Sequence, residues 1–184
     1  IMETVKLIQN NKLIKNAIIV FLGTVLLTIS AKVKIPFYPV PMTMQTFVVI
    51  FLGMCFGYKL GLATVILYLI EGIIGIPVFS NSPEKGVGMI YFTGPTMGYL
   101  LGFIIAVYVV GKFNFNKNYL LNFIKIFFSV LPIYVLGLIW LGILIGWDKP
   151  IFDLGAKPFL LAELFKICLL VIISAKVDFF KKFI

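Results

Sequence analysis

The sequence predicts an all-α integral membrane protein, with six transmembrane helices and outward loops that cap a ligand pocket. Three observations carry this expectation. The 184 residues are 61% hydrophobic and only 12% charged, whereas a soluble domain carries about 25% charged residues. Apolar stretches of roughly 17 to 25 residues, long enough to cross a bilayer, recur along the chain. Most prolines and charges fall between those stretches. Such a composition excludes a soluble enzyme, a secreted disulfide scaffold and a disordered binder. Histidine is absent, which removes His-based triads, HExxH sites and His-ligated metals.

The chain reads as a single membrane domain over residues 1–184. Ile1 precedes Met2 and reads as an added residue, with no signal peptide visible. Glu3, Lys6, Gln9, Asn10 and Lys12 form a mixed lead-in suited to the membrane interface. The first span is Leu13 to Ala31. Pro36, Pro39 and Pro41 follow in an apolar segment that cannot be a straight helix. It reads as a re-entrant or capping loop packed on protein at the membrane edge. Thr43 to Gly57 is the second span, Tyr58-Lys59 a tight turn, and Leu60 to Ile76 the third span, ended by Pro77. Val78 to Thr93 is a polar, glycine-bearing loop. Gly94 to Gly111 is the fourth span, and Asn114 to Asn118 a polar turn. Leu120 to Gly146 is the fifth span, with Pro132 inside. Trp147 to Pro158 is a loop, and Phe159 to Val177 the sixth span.

Six spans place both termini on one side. That side holds Lys6, Lys12, Lys15, Lys59, Lys112, Lys117, Lys125, Lys176, Lys181 and Lys182; the other holds Lys32, Lys34, Lys85, Lys149 and Lys157. Lysine excess marks the cytoplasmic face, so both termini are expected in the cytoplasm. All 16 basic residues are lysine. With no arginine and no basic stripe, the +9 charge reads as membrane topology, not nucleic-acid binding. Cys55 and Cys168 make no metal site and read as small buried hydrophobes, a disulfide between spans being the alternative.

The proline-rich, glycine-bearing and third loops all face outward, which suits a small-molecule pocket roofed by loops, a set of helix-end breakers being the other reading. Glu163 and Lys166 lie three apart at the start of span six and share a helix face. Charges inside a span face protein or a cavity. The pair is either a self-neutralising ion pair or a clamp in which carboxylate accepts and ammonium donates. Glu71, one turn inside span three, either pairs with a loop lysine or lines the same cavity. Thr43 and Gln45 either offer ligand contacts or cap and bridge helices. No P-loop and no G-x-S-x-G elbow is present. No catalytic residue, metal or cofactor is expected, and any energy for transport must come from a partner.

Four motifs in order resemble one family. Pro39 to Thr46 (PVPMTMQT) is similar to the VPxTxQT signature of the BioY family, the biotin-specific substrate-binding (S) components of energy-coupling factor (ECF) transporters. Gly72 to Phe79 resembles its GxxGxPVF element, and Gly94 to Phe103 its GPTGGYLxGF element. Phe159 to Lys166 resembles its FxxGDxxK element, with Glu163 for the usual Asp and Ala162 for the usual Gly. Met97 stands where the family often has Gly.

The resemblance implies a protein for high-affinity biotin binding and uptake in the cell membrane of a prokaryote. Its partners would be biotin, membrane lipid, a membrane-embedded coupling (T) subunit and two ATPase subunits. It gives Glu163 and Lys166 the polar contacts to the ureido ring, and suggests roles for Asn81 and Tyr99. Phe79 and Tyr38 would pack on the apolar part of the ligand. Thr43, Gln45, Glu71, Gly94 and Thr96 complete the candidate set. It also implies a small-residue surface on the first helix for the coupling subunit; Gly23, Thr24 and Thr28 lie near one stripe, with packing inside the protein as the other reading. The alternatives are an S component for another vitamin and a stand-alone small-solute facilitator.

Overall fold

The computed structural model describes residues 2–36 and 38–181, and residues 2–10 by backbone alone. The side chains of residues 2–10, including Lys6, and residues Ile1, Phe37 and 182–184 lie outside that description. Helix α1 runs Met2–Lys32, so the lead-in continues the first span as one helix. Its buried side is a stripe of Gly23, Thr24, Leu27, Ser30 and Ala31, at helical spacing. Phe21, Leu22, Val25 and Ile29 point outward. A Cβ on Gly23 would stand 2.6 Å from Thr64 Cγ2, so the absent side chain sets how closely α1 approaches α2.

The proline-rich segment folds into a two-residue antiparallel ribbon. Strand β1 (Lys34–Ile35) pairs with β2 (Met42–Thr43), in register Lys34 to Thr43 and Ile35 to Met42. Val40 and Pro41 are buried beneath it.

Helix α2 spans Gln45–Ile73 but contains Gly57 at φ 70°, ψ 176°. That conformation is open to glycine and very few others. The chain reverses there. Gln45 Nε2 lies 2.8 Å from Tyr68 Oη, whereas 23 helical residues would separate them by roughly 35 Å. The second and third expected spans are therefore the two antiparallel arms of α2, and the reversal sits at Gly57, with Tyr58 and Lys59 already helical.

A 3-10 turn (Gly88–Thr93) interrupts the next loop. Helices α3 (Met97–Lys112) and α4 (Tyr119–Ile145) then pack backbone to backbone. A Cβ on Gly102 would lie 2.5 Å from Ile133 Cα, and one on Gly98 would strike the Leu136 carbonyl. Asn118 Oδ1 caps α4 by accepting from Leu121 N at 3.1 Å. The loop expected over Trp147 to Pro158 holds a short helix, α5 (Ile151–Gly155), and a 3-10 turn (Lys157–Phe159). The last span divides into α6 (Leu160–Ser174) and α7 (Val177–Lys181).

Helix α2 is central, in contact with α1, α3, α4, α6 and α7. Among the described residues, three helices are long and apolar enough to cross a membrane: Asn11–Lys32 within α1, α2 and α4. Helix α3 is apolar but shorter. Large side chains such as Phe128, Ile143, Leu161 and Phe165 are exposed, as expected where the surrounding solvent is lipid. The cysteines are both free; Cys55 is buried, but Cys168 faces outward instead of packing inside.

Candidate functional site

At one end of the bundle a cavity of about 550 Å³, counting its open mouth, lies between the three irregular segments and the helix ends. The first segment contributes Val40, Pro41, Met42 and Thr43. The second contributes Phe79, Ser80, Tyr91 and Thr96, and the third Phe159. Gln45 and Thr46 reach in from α2, Tyr99, Leu100 and Phe103 from α3, Ile133 and Tyr134 from α4, and Glu163 and Lys166 from α6. The walls are thus mainly apolar and aromatic, with a few polar groups, the usual make-up of a small-molecule site.

Glu163 and Lys166 are 4% and 5% exposed and pair at 3.2 Å. A buried pair survives only when its remaining hydrogen-bonding capacity is also met. Lys166 Nζ donates to the Thr43 carbonyl at 2.7 Å, to Thr46 Oγ1 at 3.0 Å and to Glu163 Oε2, which engages its three N–H groups. Thr46 Oγ1 donates to Glu163 Oε2 at 2.9 Å, and Tyr134 Oη donates to the same oxygen at 3.0 Å. Three donors from α2, α4 and α6 thus converge on Oε2. No donor among the described residues reaches Oε1. No fully buried side-chain oxygen or nitrogen among them lacks a partner. Oε1, which accepts from none of them, is therefore not fully buried, and Glu163 lines the cavity.

The other expected residues divide. Phe79 is buried and lines the cavity. Its ring stacks on Tyr91 at 4.6 Å and meets Tyr68 and Phe92 edge-on. Thr43, Gln45, Tyr99 and Thr96 also line it. Gln45 Nε2 donates one N–H to Tyr68 Oη at 2.8 Å, and Tyr68 Oη donates onward to the Val78 carbonyl at 3.0 Å. Thr43 Oγ1 accepts from Gln45 N at 3.3 Å. The Tyr99 hydroxyl donates to the Gly155 carbonyl at 2.7 Å and so fastens α5; its ring faces the cavity.

Asn81, Tyr38, Glu71 and Gly94 lie outside the lining. Asn81 Oδ1 accepts from Lys34 Nζ at 3.3 Å. Tyr38 is 84% exposed, with Lys85 Nζ 6.0 Å above its ring. Glu71 takes neither expected partner: Thr24 Oγ1 of α1 donates to its Oε1 at 2.9 Å. Thr24 is thereby turned inward, so the Gly23 and Thr24 stripe serves packing within this chain. The Gly94 carbonyl accepts from Trp140 Nε1 at 2.9 Å.

Thr46, Tyr134, Tyr91 and Ser80 line the cavity as well, beyond the residues that the sequence singles out. Tyr134 carried a signal, a phenol in an apolar span that needs a polar partner. Lys32 Nζ donates to the carbonyls of Phe79 at 2.8 Å and Ser82 at 2.7 Å, and Lys34 Nζ to that of Ser80 at 2.7 Å. These two lysines bind the second irregular segment to the end of α1 and the start of β1.

Comparison with known proteins points one way. The family model described as the BioY family matches residues 3–182. A Pyrococcus horikoshii protein named a probable biotin transporter BioY is 34% identical over 164 residues, 89% of this chain and 96% of that one. A Thermotoga maritima protein named biotin transporter BioY is 32% identical over 154 residues, 83% and 89% of the two chains. A crystal structure described as the S-component for biotin from an ECF-type ABC transporter superposes with a TM-score of 0.76 at 24% identity. It covers 92% of this chain and 93% of its own, and shows the fold.

Proposed function

Because the chain belongs to the BioY family, we propose that it binds biotin with high affinity as the substrate-specific subunit of an ECF-type vitamin transporter. The observation that carries this reading is the buried Glu163 and Lys166 pair beside a cavity with aromatic walls. Biotin's ureido ring offers two N–H donors and one carbonyl acceptor. Glu163 Oε1 accepts one N–H. Lys166, whose three N–H groups are engaged within the protein, releases one of those hydrogen bonds to donate to the ureido carbonyl. Phe79, Tyr91, Phe103 and Ile133 wall the tetrahydrothiophene ring and valeryl chain, which carry most of the apolar area. The ribbon over β1 and β2 and the loop over residues 76–96 roof the site, with Lys32 and Lys34 as their ties.

In this reading the chain is one domain that crosses a prokaryotic cell membrane six times, by α1, the two arms of α2, α3, α4 and α6. Both termini are cytoplasmic, in keeping with the lysine distribution. Binding needs no metal or cofactor and involves no turnover. Movement of biotin across the membrane is driven by a membrane-embedded coupling subunit and two ATPases.

The test is calorimetry of biotin binding to the purified protein in detergent, wild type beside Glu163→Gln, with both shown to melt cooperatively. Tight binding by the wild type and a loss of roughly 10- to 100-fold in the variant is the expected result, the size of one hydrogen bond to a charged group. Equal binding by the variant removes Glu163 from the site. No wild-type binding, with thiamin or riboflavin bound in its place, removes biotin.

A further inference from the structure

We infer that Thr46 and Tyr134 are positioning residues, which orient the Glu163 carboxylate so that Oε1 and not Oε2 is presented to the ligand. This rests on the reading of the cavity as a biotin site. Rotation of a glutamate carboxylate about its last bond is broad and nearly two-fold, so covalent geometry does not choose between the oxygens. The surroundings choose. Thr46 at 2.9 Å and Tyr134 at 3.0 Å hold Oε2 from two different helices, with Lys166 at 3.2 Å from its own. Thr46 has one proton. It gives that proton to Glu163 and takes one from Lys166 at 3.0 Å, closing a three-membered ring of hydrogen bonds. Neither Thr46 nor Tyr134 needs to touch the ligand. Their consequence for specificity is that the exposed oxygen is an acceptor with free lone pairs. At that point the site rewards an N–H donor and repels an acceptor.

The inference separates from a structural role by pairing protein and ligand changes. Biotin, its two ureido N-methyl derivatives and desthiobiotin compete against labelled biotin for wild type, Tyr134→Phe, Thr46→Val and Thr46→Ser. All proteins are first shown to keep their melting transition. Wild type is expected to reject one N-methyl isomer by roughly 10-fold or more, the size of one hydrogen bond to a charged group. Tyr134→Phe and Thr46→Val should lose most of that discrimination, while the ratio of biotin to desthiobiotin stays unchanged. Thr46→Ser should restore what Thr46→Val loses. A parallel weakening of every ligand, or no weakening, overturns the positioning role. So does a wild type indifferent to both N-methyl isomers. Failure of the wild type to bind biotin at all overturns the underlying assignment instead.

Discussion

A charged pair inside a membrane protein commits its neighbours. Glu163 and Lys166 were legible because they stand three apart in an otherwise apolar stretch. Thr46 and Tyr134 were not, because they come to Glu163 from 117 and 29 residues away. Pattern along a chain carries no information about such meetings. Tyr99, for which the resemblance suggests a role, lines the cavity while its hydroxyl donates to the Gly155 carbonyl. Tyr99→Phe should therefore cost about 1 kcal/mol of stability, an ordinary net hydrogen bond. Biotin affinity should fall less than in Glu163→Gln; thermal melts and calorimetry check both halves. Lys166→Met should be more damaging, since it strands a buried carboxylate. A loss of about 3 kcal/mol or more is expected for breaking a buried pair from one side, measured by denaturation in detergent. A variant as stable as wild type would mean that Glu163 is not held as a buried anion.

At the scale of elements, hydropathy located every long helix, because the bilayer demands length and apolarity together. The ends it gives agree with the helices to within a few residues, except that α1 begins well before Leu13. The reversal in α2 falls on Gly57, whose φ of 70° no neighbouring residue adopts readily. Gly57→Ala is expected to cost about 1 to 3 kcal/mol, the usual penalty for forcing a side chain into such backbone. The check is a lowered melting temperature with ligand contacts intact. A variant that melts with the wild type would show that the reversal tolerates a different backbone. The β1 and β2 ribbon and α5 escaped notice for a simpler reason. Two-residue strands and a five-residue helix have no periodicity to read.

For the whole molecule, the sequence suggested where the membrane is and which way the chain runs. It left open which helices touch. The close contacts of α3 with α4 depend on Gly98 and Gly102, whose missing side chains are ordinary composition until a partner backbone is seen against them. The proposed orientation is tested by labelling. With Cys55 and Cys168 replaced by alanine, Lys149→Cys should react with a membrane-impermeant maleimide in intact cells. Lys117→Cys should react only after the cells are opened. The reverse pattern would invert the topology and move the site to the cytoplasmic face.

The tie between Lys32, Lys34 and the loop over residues 79–82 is made mainly to main-chain carbonyls. Every amino acid supplies the same carbonyl. The anchorage is therefore indifferent to side-chain identity, while Phe79 and Ser80 on that very stretch face the cavity. Mounting and lining are separable here. Exchange at Ser80 can recut the wall without unfastening the loop, so the segment can drift toward a differently shaped ligand while its scaffold stays in place.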